Sequence, residues 1–72
     1  MELNWADGYE VYVRIENGAA VISANREGLL SLANHLKKLA DEVSGSHIHL
    51  DVFNSLEEGS AEPILEKRNV GQ

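Results

Sequence analysis

Cysteine is absent from the 72 residues. No disulfide and no thiolate metal site can therefore form, and a catalytic cysteine is excluded. Basic residues are scarce, six against twelve acids, for a net charge of −6. Phosphate binding needs clustered Lys and Arg, so no nucleic-acid partner is expected. A basic protein is the better electrostatic match, although such a charge also serves merely to keep a small domain dispersed. No apolar run is long enough to span a bilayer and no N-terminal signal pattern is visible, so a membrane is not expected as a partner and a cytoplasmic location is. No phosphate-binding G-x-x-x-x-G-K-[ST] loop and no G-x-S-x-G elbow occurs, so neither an enzyme nor a cofactor is expected. Proline occurs once, at Pro63, and aromatic residues make up 6% of the chain. The length predicts one domain over residues 1–72, of a size that buries only about 60% of its unfolded surface.

What is present is organised around Asn25 to Val43, NREGLLSLANHLKKLADEV. Leu29, Leu32, Leu36, Leu39 and Val43 recur at steps of three and four, with Ala33 and Ala40 widening the stripe. This spacing predicts a helix with that stripe buried and with Ser31, Asn34, His35, Lys37, Lys38, Asp41 and Glu42 facing solvent. Asn25 is the expected N-cap, Glu27 suits the positive end of the helix dipole, and Gly45 is the expected stop. Gly28 costs about 1 kcal/mol against alanine inside a helix, which points either to close approach of helix and sheet or to a loose first turn.

Before the helix, Tyr9 to Ala24 reads as a hairpin. Tyr9, Val11, Val13 and Ile15 alternate with polar residues, and Asn17-Gly18 suits a two-residue type I′ turn. That turn sets the register Glu16 with Ala19, Ile15 with Ala20, Val13 with Ile22 and Val11 with Ala24. Met1 to Gly8 is weakly patterned, and Trp5 there is expected to cover an edge of the core. After the helix, Ser46 to Phe53 predicts a third strand, with Ile48, Leu50 and Val52 turned to the helix. NSLEEGS (residues 54–60) is an acidic turn, Ala61 to Arg68 a fourth strand, and Asn69 to Gln72 a frayed tail. Pro63 lacks a donor and places the fourth strand at an edge, or starts it only after the proline. The expectation is an α+β fold of order ββαββ: a four-stranded, mainly antiparallel sheet with one helix packed on one face. Its uncovered face would carry Tyr12, Val21, His47, His49, Asp51 and Phe53, either as a homodimer contact or as a partner site.

One constellation has metal-binding chemistry. His47, His49 and Asp51 alternate along the third strand and would share a face, and two imidazoles with a carboxylate are zinc or iron ligands. The same pattern also fits an ordinary polar strand face or a pH-sensitive interface. Glu57-Glu58 reads as a solvated pair or as an electrostatic contact to a basic protein. A metal-binding module and a homodimeric structural domain remain alternatives to a protein-binding role.

Three segments taken together carry a family resemblance: ISANREGLLSLANHLKKLA (Ile22 to Ala40), GSHIHLD (Gly45 to Asp51) and LEEGSAEPILEKR (Leu56 to Arg68). They resemble small immunity proteins of bacterial polymorphic toxin systems, most nearly the immunity protein 32 family. The marks are Asn25-Arg26-Glu27-Gly28-Leu29, the His47-x-His49-Leu50 strand start and Leu56-Glu57-x-Gly59-Ser60. Met1 to Gly8 lies outside the match, and Pro63 departs from an ordinary strand residue. The resemblance implies a cytoplasmic protein that blocks a cognate secreted toxin, such as a nuclease, by direct contact. It carries over no catalytic residue. On that basis Asp51, Glu57 and Glu58 are the expected electrostatic contacts, with Phe53 and Tyr12 as anchors.

Overall fold

The computed structural model describes residues 3–69. The elements follow the expected order: β1 (Val11–Glu16), β2 (Ala19–Ala24), α1 (Arg26–Ala40), β3 (His47–His49) and β4 (Ile64–Glu66). The fold is α+β.

β1 and β2 pair antiparallel in the register that the turn dictates, Glu16 opposite Ala19 and Val11 opposite Ala24. Asn17 and Gly18 both have positive φ, 50° and 80°, as a type I′ turn requires. Val11 and Val13 are buried, and Ile15 on the same face is exposed where the hairpin extends past the core.

Asn25 ends β2 and starts α1 at once. Its Oδ1 accepts from Gly28 N at 2.8 Å as the N-cap. The same oxygen accepts from Glu10 N at 2.9 Å, and Asn25 Nδ2 donates to the Gly8 carbonyl at 2.8 Å. One side chain thus joins the helix start, the hairpin and the N-terminal segment. Asn25→Ala is expected to cost about 1–2 kcal/mol, read as a lower urea midpoint at unchanged m-value. Asn25→Asp keeps the acceptor and loses the Gly8 bond, so it should fall between the two.

The helix is rotated from the face its leucines predict: Leu32 and Leu39 of that stripe are buried, but Leu29 and Leu36 are not. Gly28, Ser31, Leu32, His35 and Leu39 are buried, whereas Leu29, Leu36 and Val43 are 54%, 48% and 79% exposed. Three contacts set this rotation. A Cβ on Gly28 would lie 2.5 Å from the Glu10 carbonyl oxygen and 3.0 Å from Val11 Cγ2, so this turn seats its glycine against β1. On the adjoining flank Ala6 N donates to Ser31 Oγ at 2.9 Å, and Trp5 meets the His35 ring edge-on at a centroid distance of 4.6 Å. Trp5 also stacks on Tyr9 at 4.5 Å. The N-terminal segment therefore covers the core edge, as expected of Trp5, and turns His35 inward instead of to solvent.

The helix also ends earlier than the sequence suggests. Asp41 is the C-cap, and Lys67 Nζ donates to the Ala40 and Glu42 carbonyls at 2.6 Å each. That ammonium satisfies carbonyls otherwise left open at the helix end. Gly45, with φ +91°, instead turns the chain into β3.

Among the described residues the expected single four-stranded sheet is not formed. There are two antiparallel two-stranded sheets, β1–β2 and β3–β4, the second pairing His47 with Glu66, Ile48 with Leu65 and His49 with Ile64. Residues 57–61 lie along the other edge of β1 with an irregular set of bonds. Glu57 N donates to Val11 O at 2.9 Å and Ala61 N to Val13 O at 2.8 Å, but Val13 N donates to the Ser60 hydroxyl at 3.1 Å. A side chain thus replaces a ladder carbonyl. Pro63 then has no N–H to offer and only accepts, from Leu50 N at 3.1 Å. The ladder is therefore broken where a continuous fourth strand would join the halves. Both C-terminal strands are shorter than expected, and of the frayed tail only Asn69 lies within the described residues. The core beneath is Val11, Val13, Leu32, Leu39, Ile48, Leu50 and Leu56, packed by Leu3, Trp5, Tyr9, Ala24, Val52, Ala61 and Leu65.

Candidate functional site

The third strand stops at His49, so Asp51 and Phe53 leave the sheet and enter a tight turn. The expected shared face of His47, His49, Asp51 and Phe53 does not exist in that form. Asp51 organises this turn. Its Oδ1 accepts from Phe53 N and Asn54 N, both at 2.9 Å. Its carbonyl accepts from Ser55 N at 3.0 Å and Leu56 N at 2.9 Å. Asn54 returns the bond, with Oδ1 accepting from Asp51 N at 3.1 Å, and its Nδ2 donates to the His49 carbonyl at 3.1 Å. Short Asx side chains hold a turn in this way by bonding the backbone just ahead. Buried Ser55 and Leu56 anchor its far end, and Phe53 stands 93% exposed at its tip.

The acidic pair follows directly. Glu57 is tied to β1 by its backbone bond to Val11 O, and Ser60 N closes the next turn onto the Glu57 carbonyl at 3.2 Å. Gly59 takes φ +88° in that turn. The Tyr12 hydroxyl donates to the Gly59 carbonyl at 3.4 Å, and the Tyr12 ring lies within 3.8 Å of where a Cβ on Gly59 would sit. Tyr12 is thereby held against the turn that follows Glu57 and Glu58, with the Phe53 turn immediately upstream in the chain. Both glutamates are exposed. The ion pairs among the described residues are Arg14–Glu16 at 2.7 Å and Arg26–Glu27 at 3.7 Å; neither uses Glu57 or Glu58. The acidic pair thus projects negative charge from a well-anchored turn.

His47 and His49 are exposed, with ring centroids 4.8 Å apart in an edge-on arrangement. The Asp51 carboxylate faces the backbone of its own turn. Among the described residues no three His, Cys, Asp or Glu side chains gather as a metal ion would need. A shallow cleft of about 410 Å³ lies elsewhere, lined by Asn4, Trp5, Ala6, Leu30, Ser31 and Asn34. Its one hydroxyl, on Ser31, donates to the Glu27 carbonyl at 2.8 Å and accepts from Ala6 N. Among the described residues no acid or base lines that cleft to activate it. Among the described residues, no helix is long and apolar enough to cross a membrane.

The structure also draws in His35, which the sequence pattern assigns to solvent. It is 0% exposed, neither ring nitrogen has a hydrogen-bond partner among the described residues, and Trp5 Nε1 is likewise buried without one. Burial lowers the His35 pKa, with the nearby Lys38 charge acting in the same direction.

The sequence profile of immunity protein 32 matches residues 20–68, about two-thirds of the chain. The chain belongs to the immunity protein 32 family. The matched stretch begins within β2 and takes in the helix, both turns at Asp51 and Glu57, and β4. Trp5 and Tyr12 lie ahead of it, so the segment that buries His35 and the tyrosine that supports the acidic turn are features of this chain beyond the matched family region. No curated protein and no solved structure matches it.

Proposed function

We propose that this member of the immunity protein 32 family neutralises a cognate bacterial toxin in the cytoplasm by direct protein–protein contact, through Phe53, Glu57, Glu58 and Tyr12. The observation that carries the reading is the family match over residues 20–68. The geometry supports this surface within it. An exposed aromatic ring and two exposed acids lie on consecutive turns held by short backbone bonds, so little ordering is left to be lost on binding. Phe53 acts as the anchor, and the glutamates steer a basic toxin surface toward it. Asp51 serves by holding the Phe53 turn, and Tyr12 by bracing Gly59. The net charge of −6 acts in the same sense at longer range.

The test uses toxin captured from the source cell and expressed with and without this chain. Growth arrest by the toxin should be relieved by the wild type. Glu57→Lys with Glu58→Lys should cut the association rate about 10-fold or more at low salt. Phe53→Ala should raise the dissociation rate about 30-fold, as loss of an interface anchor does. An association rate and salt dependence unchanged by the double charge reversal would refute the steering role, and full protection by Phe53→Ala would refute the anchor.

A further inference from the structure

We infer that β2 is a self-pairing edge, at which two copies of this chain join antiparallel into one continuous sheet. This inference is independent of the toxin reading. In the hairpin register Asn25 N bonds to Glu10 O, while Val11 O and Val13 O bond away from β2 to Glu57 N and Ala61 N. Backbone groups alternate in direction along a strand. Ala19, Val21 and Ser23 therefore bond to β1, and Ala20, Ile22 and Ala24 direct their N–H and C=O groups outward. Among the described residues no backbone or side-chain group bonds to them.

Unpaired edges are usually guarded by lysine, proline, a bulge or a covering loop. β2 reads Ala-Ala-Val-Ile-Ser-Ala and has none of the guarding residues. It is also the only element among the described ones without an ionisable side chain. In a chain of net charge −6 this decides the occupant. Pairing a neutral strand with itself sets no like charges face to face across the seam, which favours a second copy at this edge. A basic partner would find nothing on β2 to match its charge.

The pairing is self-complementary about a two-fold axis at Ile22. Ile22 opposes Ile22 and Ala20 opposes Ala24, giving about six backbone bonds from the outward groups. Ile22 is 44% exposed although it lies opposite buried Val13. Pairing completes a row of Val13, Ile22, Ile22 and Val13 across the seam and covers that exposure. β1 lies between β2 and residues 57–61, so the joined edge leaves the acidic turn open.

The experiment is sedimentation equilibrium of the untagged chain up to about millimolar concentration, with circular dichroism to establish folding. The expected mass is twice the 7.9 kDa of one chain. Ile22→Lys places a charge at the seam and should shift the dimer dissociation constant at least 100-fold toward monomer while the chain stays folded. Ala20→Pro removes an outward N–H that β1 does not use and should do the same, which protects the test if the lysine variant fails to fold. A wild type that remains monomeric throughout would overturn the inference. So would a dimer that survives both variants and is lost instead on Leu29→Lys with Leu36→Lys, which would place the contact on the helix.

Discussion

Gly28→Ala is expected to lower the unfolding free energy by about 1–2 kcal/mol, although alanine is the better helix former by about 1 kcal/mol. The added Cβ would sit 2.5 Å from the Glu10 carbonyl oxygen, 3.0 Å from Val11 Cγ2 and 3.1 Å from Ala24 Cβ. The nearest of these is backbone in the segment leading into β1 and cannot rotate aside. The helix must lift or the strand must bend, and either motion disturbs buried Val11 and the Asn25 cap bonds together. Forced overpacking of this kind costs about 1–3 kcal/mol, and here it outweighs the propensity gain. Gly28→Val adds two further methyls in the same direction and should lose about 3 kcal/mol or more. A chain of 72 residues commands only about 4–11 kcal/mol in total, and each kcal/mol moves Tm by about 4–8 °C at this size. A thermal melt therefore reads the effect directly. A Gly28→Ala protein as stable as the wild type, or more so, would mean that the first helical turn does not seat on β1.

The second large effect is loss of stability in mild acid through His35. Its side chain is buried, its ring nitrogens lack partners among the described residues, and burial followed by the Lys38 charge lowers its pKa. The unfolded chain titrates near the ordinary histidine value of about 6.5. Below that pH the unfolded state takes up a proton that the folded state resists, so folding stability rises with pH. His35's contribution is complete above about pH 6.5 and is lost as pH falls through the lowered folded value, with a limiting slope of about 1.4 kcal/mol per pH unit. His35→Leu fills a similar volume without a titratable group and should remove that slope, so the variant gains stability relative to wild type as pH falls below about 6.5. Urea unfolding between pH 7.5 and 5.5 measures it, followed by the fluorescence of Trp5, the chain's one tryptophan and the ring that touches His35. The difference between the two curves isolates His35, because every other titrating group is common to both. Parallel curves across the window would show that His35 is reached by solvent or by a partner group.

These two residues also mark where sequence and structure part. Gly28 is legible as an anomaly, a glycine inside a strong helical pattern, and close approach to the sheet is one of its two readings. His35 is not legible. The buried set Gly28, Ser31, Leu32, His35 and Leu39 has helical spacing, but three of its five members are not apolar. The leucine stripe next to it is stronger by hydropathy and points to a neighbouring arc of the same helix. At the candidate site, Phe53 and the two glutamates could be picked out as display residues. The turn chemistry of Asp51 and Asn54 was hidden by an alternation that continued the strand through residue 53. An Asp followed three residues later by Asn was the available signal for an end at Asp51.

The sequence by itself determined what depends on neighbours along the chain. The Asn17-Gly18 turn selects the hairpin and its register, the Asn25 side chain starts the helix three residues before Gly28, and the order ββαββ follows from those periods. The family also follows from sequence alone, because a profile reads residue types and spacing. Only the tertiary structure decided what depends on segments distant in sequence. Trp5 and Ala6 rotate the helix onto Ser31 and His35, Lys67 reaches back to end it at Ala40, and the Ser60 hydroxyl breaks the ladder between β1 and the last strand. The physical reason is the range of the interaction. Turn and cap energies are settled within a few residues, whereas the choice of buried face compares contacts between segments that become neighbours only on folding.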